Sequence, residues 1–91
     1  MTRVTIYSTA SCPICDKTKT LLKRWGIPYT ERKVDNPTDR SALKEMLTIT
    51  NNARTVPQIV IDGRWIGGFS ELTELHMEGA IDALVEKVSP T

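Results

Sequence analysis

Two cysteines, Cys12 and Cys15, stand three apart in the stretch STASCPICDKTKTLL, residues 8 to 22. Three readings are open to such a pair: thiol–disulfide exchange, part of a metal site, or two unreactive packed residues. Exchange needs an attacking thiolate and a resolving thiol that breaks the mixed disulfide the first one forms. A structural zinc needs four ligands, usually from two separated pairs. The chain offers only these two cysteines and one histidine, His76, far along the sequence. No metal site is therefore expected.

The surrounding elements decide how the pair is presented. Arg3 to Tyr7 (RVTIY) alternates and is rich in β-branched residues, which predicts a first strand. From Pro13, the residues Ile14, Thr18, Leu21, Leu22 and Trp25 form one helical stripe. Pro13 suits the first helical position, and Gly26 followed by Pro28 supplies a stop. Cys12 then falls at the helix N-cap and Cys15 at about the third position. Unpaired N–H groups and the positive end of the helix dipole favour a thiolate there. In C-x-x-C motifs so placed, a thiol pKa can fall from about 8.5 to roughly 3.5–7.5. Cys12 is the expected exposed nucleophile and Cys15, one turn in, the resolving thiol.

Beyond this unit, Tyr29 to Val34 (YTERKV) reads as a second strand, and residues 35–37 (DNP) as a turn. Thr38 or Asp39 is the expected cap of a second helix running to about Leu47, with Leu43, Met46 and Leu47 inward. Gln58 to Ile61 and Arg64 to Ile66 form a hairpin through Asp62-Gly63. Ser70 is the expected N-cap of a last helix. That helix places Leu72, Leu75, Met77, Ile81, Leu84 and Val88 on the core side and is kinked or divided at Gly79. The order βαβ–α–ββ–α predicts one parallel pair with a right-handed crossover and one antiparallel hairpin in a four-stranded mixed sheet. The cysteines come to the rim of that sheet.

Composition narrows the class. With 91 residues, 40% hydrophobic and 25% charged, the chain is expected to be one globular domain over residues 1–91. Twelve Lys and Arg balance eleven Asp and Glu, which leaves no electrostatic footprint for nucleic acid. Lys17-Lys19 and Lys23-Arg24 read as a solvated helix face. No apolar run approaches the 18 or so residues of a membrane span, and residues 1–15 lack the basic and apolar segments of a secretory signal. A cytoplasmic location is expected.

A second motif, RTVPQIVIDGRWIGGFSEL over residues 54 to 72, completes a pattern. CPIC, then TVPQIVIDG, then IGGFSEL is similar, in that order and over essentially the whole chain, to the glutaredoxin family of the thioredoxin fold. The resemblance implies an α/β, thioredoxin-like architecture of βαβ then ββα, flanked by three or more helices. It also implies a glutathione-disulfide oxidoreductase working through Cys12, Pro13 and Cys15, with Cys12 forming the mixed disulfide with glutathione. By the same resemblance Pro57 is a cis-proline facing the active site. A cis X–Pro bond turns the preceding backbone outward, so that Val56 can pair with an extended thiol peptide.

Carried over position by position, Thr55, Val56 and Pro57 line one wall of a glutathione site. Gly67 and Gly68 allow close approach of the ligand. Ser70 and Glu71 receive the γ-glutamyl end, and Arg40 meets the glycine carboxylate. Glutathione is implied as co-substrate with no tightly bound cofactor, and the protein as a monomer. Protein disulfides, with ribonucleotide reductase as one example, are the implied partners, without nucleic acid or membrane.

Three positions depart from the family pattern. Thr9 stands where a lysine usually meets the glycine carboxylate, a contact for which Lys17 or Lys19 could compensate. Ile14 stands where an aromatic is commoner, and Phe69 where the residue is usually small or polar. The missing lysine and Phe69 favour an alternative, a glutaredoxin-like hydrogen donor recharged by thioredoxin reductase. A non-catalytic iron–sulfur carrier is a further alternative, against which Pro13 and Cys15 both argue.

Overall fold

The computed structural model describes residues 4–38 and 40–79. Its elements are β1 (Val4–Ser8), α1 (Pro13–Arg24), β2 (Thr30–Lys33), α2 (Ser41–Ile49), β3 (Gln58–Ile61), β4 (Arg64–Gly67) and α3 (Phe69–Met77). The strands form one mixed sheet in the order β2-β1-β3-β4. β1 pairs parallel with β2 and antiparallel with β3, and β3 pairs antiparallel with β4. This is the four-stranded mixed sheet expected from the element order, in the thioredoxin-like arrangement that the resemblance implied. At the β3–β4 hairpin Asp62 and Gly63 both have positive φ, 52° and 80°, as a tight two-residue turn between right-twisted strands requires.

Alternation along the strands divides the core between the two faces of the sheet. On one face Val4, Ile6, Ile59 and Ile61 pack with Leu22 of α1 and Leu72 of α3. On the other, Tyr7 and Val60 pack with Met46 of α2. Each fully buried Leu or Ile contributes roughly 1.5–3 kcal/mol relative to exposure. Trp25, the C-cap of α1, stacks on His76 of α3 with ring centroids 3.9 Å apart and planes 9° from parallel. His76 thus joins two helices, and the described residues contain no group of three metal-ligating side chains.

Tyr7 ties α2 to the sheet: its hydroxyl donates to Glu45 Oε1 at 2.5 Å, and Arg32 of β2 pairs with Glu45 Oε2 at 3.3 Å. Burial, reinforced by the bond to Glu45, pushes the Tyr7 phenol well above its ordinary value.

Several local expectations need correction. Leu43 of α2 is exposed, and Ala42 is buried in its place, because α2 begins at Ser41 and presents Ala42 and Met46, one turn apart, to the sheet. Thr38 does not cap α2: its N–H and hydroxyl both donate to Asn36 Oδ1, and the N-cap is Arg40 without a side-chain cap bond. Asp39 lies outside the described residues. α3 starts earlier than expected, with Gly68 as N-cap and Ser70 already in the first turn. Met77 is 84% exposed, since α3 ends there and Gly79 follows at φ +75°. Ile81, Leu84 and Val88 lie outside the described residues.

Candidate active site

The end of β1 and the start of α1 deliver the cysteine pair as the spacing requires. Cys12 is the N-cap of α1 with an extended backbone, Pro13 begins the helix, and Cys12 Sγ accepts a hydrogen bond from the Cys15 N–H at 3.0 Å. The two cysteines are joined as a disulfide. Cys15 is fully buried and Cys12 is 9% exposed. Cys12 is therefore less open than expected, although it remains the more accessible of the two. The loop before it is pinned by the Ala10 N–H, which donates to Asp35 Oδ2 at 3.0 Å.

Beside the pair opens a groove of about 620 Å³. Ile14, half exposed at the open end of the α1 stripe, forms the edge nearest the cysteines. Thr55, Val56 and Pro57 line one wall, and Gly67, Gly68, Ser70 and Glu71 another. The Val56–Pro57 bond is cis, as the resemblance implied. Segments far apart in sequence thus meet at one concavity, the place where a small ligand binds most readily.

The glycine pair has a structural reason of its own. Gly67 has φ +126°, and a Cβ there would fall 2.7 Å from Glu71 Cγ and 2.9 Å from its Cβ. A Cβ at Gly68 would come within 3.2 Å of the Pro57 carbonyl. The close approach is therefore first of all internal: Glu71 folds back over Gly67, and its Oε1 accepts the Gly68 N–H at 2.7 Å. The glutamate thereby caps the N-terminus of α3, satisfying a donor that the helix leaves free.

Arg40 is not brought to the groove. It sits, exposed, at the start of α2 and is absent from the lining. The two lysines near the pair are differently engaged. Lys19 bonds Glu31 Oε2 at 2.8 Å and Asp16 Oδ1 at 3.4 Å, and the Ser8 hydroxyl donates to the same Glu31 oxygen at 2.6 Å. Burial pushes the Glu31 carboxyl up, but the bonds from Lys19 and Ser8 outweigh it and hold it below its ordinary value. The bond to Glu31 in turn raises Lys19. Lys19 is thus committed to the sheet rather than to the groove. Lys17 Nζ stands 5.5 Å from the centre of the Phe69 ring, which lines the groove.

Sequence reasoning missed Gln58, Trp65 and Ile66 as lining residues. Their signal was weak. Gln58 looked like the start of a strand and Trp65 like one residue of a short hairpin strand. Ile66 is the extra residue of a β-bulge, since Ile59 pairs with Gly67 while Val60 pairs with Trp65, and it packs against the core that includes Leu72 while bordering the groove. Bulges of this kind re-aim side chains near functional sites.

A sequence model described as Glutaredoxin matches residues 4–66. The chain belongs to the glutaredoxin family. It is 38% identical over 88 residues to Glutaredoxin 1 of Rickettsia conorii, covering 97% of this chain and 85% of that one. It is 35% identical over 86 residues to Glutaredoxin 3 of Escherichia coli, covering 94% of this chain and all of that one. Among solved structures, a buckwheat glutaredoxin–glutathione complex superposes with a TM-score of 0.80 at 28% identity, covering 92% of this chain and 76% of that one. Membership in the glutaredoxin family implies thiol–disulfide oxidoreductase chemistry at the Cys12–Cys15 pair.

Proposed function

We propose that this glutaredoxin reduces protein disulfides and glutathione mixed disulfides, with glutathione as its reductant. The observation that carries the reading is the position of the cysteine pair at the N-terminus of α1, beside the groove walled by Thr55–Pro57 and by Gly68, Ser70 and Glu71. In the reduced protein the Cys15 N–H and the helix N-terminus stabilise a Cys12 thiolate. That thiolate attacks one sulfur of the substrate disulfide, forming a mixed disulfide and releasing the other sulfur as a thiolate. For a protein disulfide, Cys15 then attacks Cys12 Sγ, releases the second substrate thiol and leaves the Cys12–Cys15 disulfide. Two molecules of glutathione supply the two electrons that reopen it and depart as one glutathione disulfide. For a glutathionylated protein, Cys12 takes the glutathionyl sulfur, the protein thiol leaves, and a second glutathione releases the first as glutathione disulfide.

Within the groove, Val56 pairs its backbone with the extended tripeptide and Pro57 holds that backbone turned outward. Thr55 completes this wall. Gly68 lets the ligand approach closely, and Ser70, at the start of α3, offers its backbone N–H to the γ-glutamyl carboxylate. Glu71 keeps one carboxylate oxygen on the Gly68 N–H and offers the other to the γ-glutamyl ammonium. Arg40 is the weakest member of this set, being outside the groove lining. The protein works as a cytoplasmic monomer and a single domain over residues 1–91, with no tightly bound cofactor.

The test is turnover of a glutathionylated peptide with glutathione, glutathione reductase and NADPH, using the Cys12→Ser and Cys15→Ser variants. Cys12→Ser abolishes turnover, and Cys15→Ser retains it while losing reduction of protein disulfides. A second reading, a hydrogen donor to an enzyme such as ribonucleotide reductase recharged by thioredoxin reductase, is favoured by the apolar rim of Ile14, Trp65 and Phe69. A parallel reaction with thioredoxin reductase separates the two.

A further inference from the structure

The groove wall contains a hydrogen-bonded chain whose direction is dictated by its first member. Trp65 is 43% exposed on β4, and its indole N–H donates to Gln58 Oε1 at 2.8 Å. The Gln58 amide nitrogen then donates to the Thr55 carbonyl at 3.0 Å and to Thr55 Oγ1 at 3.1 Å. The sheet brings these residues together. Val60 pairs with Trp65, and Gln58, two residues away on the same face of β3, is the diagonal neighbour within reach of a long aromatic side chain. Gln58 itself is only 5% exposed, so its amide has little access to alternative partners.

An indole nitrogen can only donate, whereas a carboxamide presents an acceptor at one end and donors at the other. With the oxygen of Gln58 held by Trp65, the NH₂ must face Thr55. Thr55 Oγ1 therefore accepts, and its own hydrogen has no hydrogen-bond partner among the described residues. We infer that Trp65 is a positioning residue which, through Gln58, fixes the Thr55 hydroxyl as a hydrogen-bond donor for an acceptor group on the groove's ligand. The identity of that acceptor, a carbonyl or carboxylate of a glutathionyl group, rests on the function proposed above. The orientation of the chain does not. Because the contact exists in the bound ground state as well as in the reaction, its loss raises KM and spares kcat.

The test uses Trp65→Phe, which keeps an aromatic ring on an exposed strand and removes only the donor, together with Thr55→Val and the double variant. With a glutathionylated peptide as substrate, each single variant raises KM about fivefold with kcat within about twofold, the size of one net hydrogen bond. The double variant is no worse than either single one, because Trp65 acts through Thr55. Additive losses would mean that Trp65 contributes by packing alone and would overturn the inference, as would a wild-type KM in Trp65→Phe.

A second arm needs no turnover. In the NMR spectrum of the unliganded protein, Gln58→Met shifts the Trp65 indole N–H resonance and speeds its exchange with solvent, while the Trp25 indole is unmoved. An unchanged Trp65 indole signal refutes the chain directly. Should the unmodified protein fail to turn over the glutathionylated peptide, the glutathione reading falls, and this NMR arm alone decides whether the chain exists.

Discussion

Replacing Gly67 by alanine attacks the point where β4 passes into α3. At φ +126° an L-residue sits in a region that glycine alone tolerates well, and such strain costs of order 1–3 kcal/mol. The new Cβ would also lie 2.7–2.9 Å from Glu71 Cγ, Cβ and Oε1, far inside contact distance. Glu71 Cβ is fixed to the backbone of α3 and cannot swing away, so the glutamate or the helix start must shift. The 2.7 Å bond from the Gly68 N–H is then lost, which costs about 1 kcal/mol as a helix cap. The sum is roughly 2–4 kcal/mol, a substantial part of the roughly 5–14 kcal/mol expected for a chain of about this size.

Urea denaturation measures it: the midpoint of Gly67→Ala falls with the slope unchanged. In an E71A background, where the cap is already gone, the same substitution costs about 1 kcal/mol less. Gly68→Ala, facing the Pro57 carbonyl at 3.2 Å with an ordinary negative φ, costs less than Gly67→Ala. If Gly67→Ala stays within about 0.5 kcal/mol of the parent, the steric reasoning is wrong and the glycine answers only to the ligand.

Two further outcomes are expected. Glu31→Gln lowers stability at neutral pH by about 1–2 kcal/mol, through weakened bonds to Lys19 and Ser8. Because the folded Glu31 carboxyl is held below its ordinary value, its contribution is present above about pH 4.3 and is lost as pH falls through the folded value. The stability difference between parent and variant, followed by thermal melts from neutral to acid pH, must shrink toward low pH; a gap that widens there contradicts the assignment. Thr9→Lys restores the cation that the family usually carries and lowers the KM for glutathione about fivefold, the worth of one exposed ion pair. An unchanged KM means that the glycine carboxylate does not reach this loop.

Much of this fold was legible because its signals are local. Pro13 with Gly26, and Asp62 with Gly63, punctuate the chain through backbone preferences that need no tertiary context, and the elements they bound appear where expected. The cysteine pair was legible for the same reason: a cap position and its third residue are set by the helix itself. What failed depended on surfaces meeting. Ile14 belongs to the apolar stripe of α1 yet stays half exposed in the first turn, where it borders the groove instead of the core.

Ser70 resembles a cap, but the positive φ of Gly67 turns the chain two residues earlier and gives the role to Gly68 and Glu71. Residues 50–54 form the loop that follows α2. Its asparagines adopt two successive left-handed conformations, φ 54° and 71°, which the buried Thr50 steadies by bonding the Met46 carbonyl and the Ala53 N–H. Trp65 and Gln58 could not be read as partners, because their contact depends on the β3–β4 register and its bulge.

The most direct measurement is single-turnover transfer from a glutathionylated peptide to the reduced protein, read by mass. Cys15→Ser should accumulate a glutathionyl adduct on Cys12, which free glutathione then removes as glutathione disulfide, while Cys12→Ser forms no adduct. If Cys12 acquires no glutathione, and disulfide reduction proceeds only with thioredoxin reductase, the groove is not a glutathione site and the proposed roles of Thr55, Val56, Pro57, Gly68, Ser70 and Glu71 are withdrawn.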